Sequence, residues 1–328
     1  MCYPPGVSPI RTEPDLARIQ GALSSTRHQW EYHSEKCPPS VVAALIQELP
    51  HIDPASWPAR FEFGGVYLNG RPVYSDRQLF PPARIEYFEP RFPMSEAERV
   101  FSEFSHDNII FDDGDLMVVF KPAGLSAMPA REQRIFNLRA ILQRYTGVPV
   151  HLPSRLDAPT QGLVLVSRSP RMHNRLQRLF ERRAMRKFYL LEVAPTPPWD
   201  SLRVENRIGR NAAHAVLRQV VEDEGKEAIT LFRRLGPATL HLTGAGGAYP
   251  TALLEAQPLT GRTHQIRVHA AHLGYPIIGD NFYGGLPVAG LRLLSYRYEF
   301  LHPLTGTELT IAVPPRLLPA WVNPAAII

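Results

Sequence analysis

The chain has 328 residues, 44% of them hydrophobic, and 36 lysines and arginines against 31 acidic residues give a net charge of +5. That is apolar material for one large folded domain with an appendage, or for two modest ones. No run approaches 18 apolar residues and the amino end lacks the apolar core of a signal peptide, so membrane insertion and secretion are set aside for a cytoplasmic protein.

Two cysteines, Cys2 and Cys37, lack zinc-type spacing, which fits a reducing compartment and argues against a cysteine-built metal site. Residues 1–60 are rich in proline and histidine. They read as a loosely structured or peripheral extension with one short helix over 40–49. From 63 to 73, FGGVYLNGRPV carries two short β-type runs around Asn69-Gly70, a pair that favours a tight hairpin turn. The stretch continues through Asp76 to Ile85–Phe88 and resembles the carboxyl half of an S4 RNA-binding domain. The helical first half of such a domain is not recognisable, so a plain hairpin is an equal reading. The expected domains are an extension at 1–60, a hairpin region at 61–95, a linker at 96–106 into which 90–97 leads, and a main domain at 107–328.

In the main domain, 108–111 and 116–120 read as a hairpin closed on Gly114 and ending in Lys121-Pro122-Ala123-Gly124. Leu138, Ile141, Leu142 and Tyr145 stand at helical spacing, with Gly147 as a stop signal. A loop then carries Asp157 between Pro153 and Pro159 into Leu163-Val164-Leu165-Val166, a continuous apolar run of buried-strand type. A carboxylate there is positioned rather than mobile. By itself, an aspartate in a loop is a turn or capping residue.

The next segment, SPRMHNRLQRLFERRAMRK, opens with a Ser-Pro start signal and predicts an amphipathic helix with Met172, Leu176, Leu179 and Phe180 on its apolar face. Arg171, Arg175, Arg178 and Arg182 follow one another at four, three and four residues and stack as a guanidinium stripe. Like charges at these spacings repel, a cost that an incoming phosphate backbone relieves; the other reading is a solvated helix face. A strand at 188–193 ends at Pro195, Pro197 and Pro198. Shorter strand-like runs follow between 200 and 235, then 251–256, then the dense stretch TGRTHQIRVHAAHLGYPIIGDNFYGG over 260–285. Helices and strands without regular alternation predict an α+β domain with a mixed, mostly antiparallel central sheet and flanking helices.

Four separated pieces carry a resemblance: VVFKPAG at 118–124, Arg155-Leu156-Asp157 with Thr160 and Gly162, Lys187-Phe188-Tyr189, and GRTHQIRVHAAHLGYPIIGD at 261–280. In this order and spacing the chain resembles the RluA-type family of pseudouridine synthases over roughly 107–315. The resemblance implies an enzyme that isomerises selected uridines in RNA with no metal or organic cofactor; ribosomal RNA is expected ahead of transfer RNA, and a monomer is the default with oligomeric state open. It implies that Asp157 is the catalytic carboxylate, Tyr189 the aromatic against the target base and Arg267 the counter-charge of Asp157. Leu293 is a weaker match to an apolar residue beneath the uracil. Arg155, Arg262 and the stripe Arg171, Arg175, Arg178 and Arg182 are then the RNA-binding residues. An ionised carboxylate serves as base or nucleophile, and a uridine inside a stem must be flipped out to reach it. The chain departs from the family pattern at Ser154, Gln161 and Leu294-Ser295, which leaves the target RNA open.

Two other readings carry less. His264, His269 and His272, with Asp280 as an acidic fourth, suggest a metal site, but spacings of five and three do not share one helix face. The glycine cluster at 244–247 has no following Lys-Ser/Thr and reads as a loop. A non-catalytic RNA-binding or ribosome-assembly protein keeping the fold is the main alternative, although phosphate binding alone needs neither the carboxylate nor the tyrosine.

Overall fold

The computed structural model describes residues 27–34, 36–89, 104–130, 136–212, 216–241 and 248–327. The first 26 residues, most of the expected linker and the glycine cluster at 244–247 lie outside them. Contacts divide the described chain into two compact units: one from His106–Gly124 and Val150–Ile328, the other from the described part of Gln20–Ser105 with Leu125–Pro149.

In the second unit, strand β1 (Arg27–Tyr32) precedes helices α1 (Val41–Glu48) and α2 (Trp57–Phe63) and strands β2 (Val66–Leu68), β3 (Arg71–Pro72) and β4 (Ala83–Phe88). The sheet order is β1-β4-β2-β3. The turn between β2 and β3 falls on Asn69 and Gly70, both at positive φ (52° and 75°), as the sequence predicts. The described residues before position 60 behave differently from the expectation. Val41, Leu45, Trp57 and Phe61 share one core with Ile85 and Tyr87, and α2 runs through position 60. From Arg27 on, therefore, the stretch read as a loose extension is part of a packed unit with the hairpin. Helix α3 (Leu138–Thr146) belongs to this unit too, and its Asn137 carboxamide oxygen accepts from the Ala140 amide at 3.0 Å. The Phe63 and Phe136 rings lie 5.2 Å apart, one contact that draws this segment away from the domain expected at 107–328.

The first unit is built on ten strands: β5 (Ile109–Asp112), β6 (Leu116–Lys121), β7 (Gln161–Ser167), β8 (Met185–Val193), β9 (Ser201–Arg210), β10 (Arg218–Val221), β11 (Lys226–His241), β12 (Ala248–Pro258), β13 (Leu293–Leu301) and β14 (Glu308–Ala312). Their order is β10-β9-β11-β12-β8-β13-β7-β6-β5, with β14 on β13. Every pairing is antiparallel except β13 with β7. This is the expected mixed sheet, but β11 and β12 form one long ladder where the sequence shows only short runs. Pro237, Pro250 and a bulge between Arg234 and Gly236 hide the continuity.

Alternation along β8 divides the core. Phe188 and Leu190 join Leu163, Leu165, Met172 and Leu176, and thus helix α4 (Pro170–Glu181). Tyr189, Leu191 and Val193 join Ile266 and Ala270 of helix α5 (Gln265–His272). No helix of the described residues is long and apolar enough to cross a membrane.

Candidate active site

β7, β8 and β13 are adjacent strands, and the loop before β7, the middle of β8 and the start of β13 carry Asp157, Tyr189 and Leu293. The loop holding Asp157 is fixed at both ends. On the strand side, Gly162 sits at φ 114°, where a Cβ would come within 2.1 Å of the Ser295 carbonyl oxygen, so a side chain would push β7 off β13. On the other side the Ala158 carbonyl accepts from the Gly124 amide at 2.9 Å and from Lys121 Nζ at 3.0 Å. Lys121, which also reaches the Pro122 carbonyl at 2.9 Å, is fully buried. Burial drives its pKa down to about 7 against the pull of Asp157. Thus VVFKPAG acts as a post beneath the aspartate loop, a role that sequence reading did not assign. A lysine ending an apolar strand was the available signal.

Asp157 Oδ2 lies 3.4 Å from Arg267 Nη1 and 3.5 Å from His264 Nε2, and the aspartate side chain keeps 30% of its exposure. Among the described residues Oδ1 has no hydrogen-bond donor. Arg267 answers first to a different acid. Its Nε and Nη2 donate to Asp280 Oδ2 and Oδ1 at 2.8 and 2.7 Å, and both side chains are buried. Its guanidinium also lies 5.0 and 5.1 Å from the Phe282 and Tyr283 rings. Burial works against charge on Arg267, but Asp280 and Asp157 more than offset it and hold the cation above its ordinary pKa. Asp280, weighed above only as a metal ligand, is instead the residue that aims Arg267. Its place at the end of the long motif was the signal.

His264 precedes α5 in a left-handed conformation, φ 58°, and is therefore not on the helix with His269 and His272. Its Nδ1 lies 2.7 Å from the Tyr283 hydroxyl, which accepts the Arg218 amide at 3.0 Å. A carboxylate only accepts, so the pattern puts the imidazole proton on Nε2, facing Asp157, and lets Tyr283 donate to Nδ1. Burial pulls the His264 pKa down to about 4, outweighing the opposing effect of Asp157. His269 turns elsewhere, to Thr230 and Asn206 at 2.9 and 3.0 Å. Among the described residues no three His, Cys, Asp or Glu side chains cluster as a metal site would require.

Gln265 pins the GRTHQ turn. Its Nε2 donates to the Ile229 carbonyl at 2.9 Å, while its Oε1 accepts from the Thr260 hydroxyl and the Arg262 amide at 2.7 and 3.0 Å. Arg262 Nε donates to the Glu227 carbonyl at 2.8 Å. Burial moves the Tyr189 pKa up to about 12, tempered by a hydrogen bond with Ser295, so the phenol keeps its proton.

These groups line one open cavity of about 620 Å³, room for a nucleotide. Asp157, Tyr189, Arg267, Leu293, Arg155 and Arg262 all border it, together with His264, Lys187 and the last turn of α4. Arg171, Arg175, Arg178 and Arg182 do not. They stand exposed on and just beyond α4, capped by Ser169, and none forms an ion pair among the described residues. Arg175 donates to the Pro303 carbonyl at 2.9 Å.

The family model for RNA pseudouridylate synthase matches residues 115–272, a span that includes Asp157, Tyr189 and Arg267 and stops short of Asp280. An RNA pseudouridine synthase of Aquifex aeolicus, itself uncharacterised, is 32% identical over 272 residues, 76% of this chain and 82% of its own length. The dual-specificity RNA pseudouridine synthase RluA of Vibrio vulnificus is 29% identical over 238 residues, 71% of this chain and 88% of its own. Among solved structures, human RNA pseudouridylate synthase domain containing 1 matches with a TM-score of 0.54 at 24% identity, covering 66% of this chain and 88% of that one. That likeness is one of fold.

Proposed function

Because the chain belongs to the RluA-type family of RNA pseudouridine synthases, an isomerase family acting on RNA, we propose that it converts specific uridines of structured RNA to pseudouridine through Asp157. One observation carries this reading. Arg267 Nη1, which donates to Asp157, and His264 Nε2, 3.5 Å away, both approach Oδ2, so Oδ1 stays open to the cavity that Tyr189 and Leu293 border.

The reaction breaks the bond from ribose C1′ to uracil N1 and forms one from C1′ to C5, with one proton leaving C5 and one taken up at N1. A fixed, ionised carboxylate supplies Oδ1 either as nucleophile toward the sugar or as base toward a proton. Arg267 holds the carboxylate by its other oxygen, beside His264, so these roles do not compete. Tyr189, a neutral phenol with a flat face, keeps the detached base from leaving, and Leu293 supports it from below. A uridine reaches this cavity only by leaving its stack, which costs a few kcal/mol. The exposed arginines Arg171, Arg175, Arg178 and Arg182, with Arg155 and Arg262, offset that cost through phosphates.

Ribosomal RNA is the first target to test, ahead of transfer RNA, in a cytoplasmic monomer without cofactor. Helices α1 and α2 directly before the β2–β3 hairpin support an S4-like reading of residues 27–88, in which the helical half faces RNA. Mapping pseudouridines in total RNA from cells with and without the protein tests the whole proposal. A site lost on deletion and restored by wild type but not by Asp157→Asn is expected. An unchanged map would refute it.

A further inference from the structure

Lys187 is a cation whose counter-ion is missing. It stands on β8 two residues before Tyr189, so both side chains leave the same face of the strand, and both border the cavity. Of the cations around the cavity, Arg267 is matched by Asp280 and Asp157 and Arg183 by Glu227 at 3.4 Å, Arg262 donates to the Glu227 carbonyl, and Arg155, without an ion pair among the described residues, is exposed to water. Among the described residues Lys187 has no ion pair and no hydrogen bond. Its Nζ lies 5.6 Å from the centre of the Phe180 ring, and Gly261 leaves space beside it, since even a Cβ there would stop 3.9 Å away. The side chain is half-buried, and loss of water alone lowers its pKa.

A charge drawn out of water without a partner costs free energy, and such a group is matched once a ligand brings the opposite sign. Uracil is neutral. The anion that an RNA substrate carries into this cavity is its phosphodiester. We propose that Lys187 binds a non-bridging oxygen of a phosphate flanking the target uridine, a subsite that rests on the reading of the protein as an RNA pseudouridine synthase. Two arguments favour a phosphate over a base carbonyl. The ring beneath Lys187 belongs to the last turn of α4, so a backbone following the arginine stripe arrives here. Moreover, Lys187 and Tyr189 are about 6.6 Å apart along the strand, comparable with the reach from a nucleobase to its own phosphate.

The test uses the full chain and a synthetic stem-loop bearing a uridine that wild type converts. Lys187→Met should raise the half-saturating RNA concentration about 10- to 100-fold, leave the single-turnover rate at saturation within about threefold, and be largely rescued in Lys187→Arg. A methylphosphonate replacing one of the two flanking phosphates should weaken wild type by a similar factor and leave Lys187→Met unaffected at that position. The melting temperature of Lys187→Met should equal or exceed that of wild type, because an unmatched charge has gone; a lysine with a purely structural role would lower it. Equal half-saturation, or methylphosphonate penalties identical in both proteins at both positions, overturns the proposal while wild-type turnover keeps the enzymatic reading intact. Absence of pseudouridine with wild type on any RNA overturns both.

Discussion

Arg267 and Asp280 form a buried, two-pronged ion pair, and only the remaining guanidinium nitrogen, Nη1, is left to face Asp157 at 3.4 Å. The cation beside the reactive carboxylate is therefore aimed by a second carboxylate outside the reaction. This ordering separates what each acid does when it is removed.

Asp280→Asn strips Arg267 of its main partner inside the protein, and removing one member of a buried pair costs about 3–5 kcal/mol. Urea unfolding should show a loss of this order, with activity falling alongside. Asp157→Asn, at a site with 30% exposure, should leave the urea midpoint near that of wild type. Comparable stability losses in the two variants would sink the assignment of Asp280 as the anchor.

Asp157→Asn should abolish tritium release from C5-labelled uridine in RNA, by more than about 10³-fold, because an amide is neither base nor nucleophile. Affinity for the same RNA, read by filter binding, should stay within a small factor. Turnover near wild type would refute the catalytic role.

His264 faces Asp157 with Nε2 at 3.5 Å, so the position of that nitrogen matters more than the ring. Gln places an amide nitrogen near Nε2; Asn reaches only as far as Nδ1. His264→Gln should keep most of the single-turnover rate and His264→Asn lose about 10-fold, the scale of one polar contact to a charged group. Tyr283→Phe, which removes the donor to Nδ1, should fall between them, with RNA half-saturation unchanged in all three. Equal rates for the Gln and Asn variants would count against the arrangement.

Lys121 gives a pH signature in stability. Its pKa falls from the ordinary 10.5 to about 7 on folding, so between these values the unfolded chain binds more protons than the native one. Stability contributed at this site therefore rises with pH from about 7 toward 10.5 and is flat below 7. Unfolding free energies at pH 7, 8 and 9 should climb more steeply for wild type than for Lys121→Met. Parallel profiles would mean that the lysine is not buried as a near-neutral amine.

Reversing Arg171 and Arg178 to Glu on the exposed face of α4 should weaken RNA binding and flatten its salt dependence, by about 0.7 to 0.9 in slope per lost phosphate contact. The rate at saturating RNA should hold. A saturating rate that falls while affinity stays would place these arginines outside RNA binding.

Much of this protein is legible in the chain because much of it is local. A helix start is written in Asn137 or Ser169, whose side chains accept amides three residues on, and a hairpin in Asn69-Gly70; neither needs the rest of the fold. The basic face of α4 follows from spacing alone, and Asp157, Tyr189 and Arg267 stand within motifs that a reader of the sequence can line up. What the chain could not state is who answers to whom. Asp157 and Arg267 are 110 residues apart, Lys121 supports a carbonyl 37 residues away, and residues 27–60 acquire a core only when β4 closes over them. Periodicity and capping report forces acting over a turn of chain, whereas the preference of Arg267 for Asp280, the neutrality of His264 and the unmatched charge of Lys187 come from burial and proximity, which exist only after the sheet has brought distant strands together.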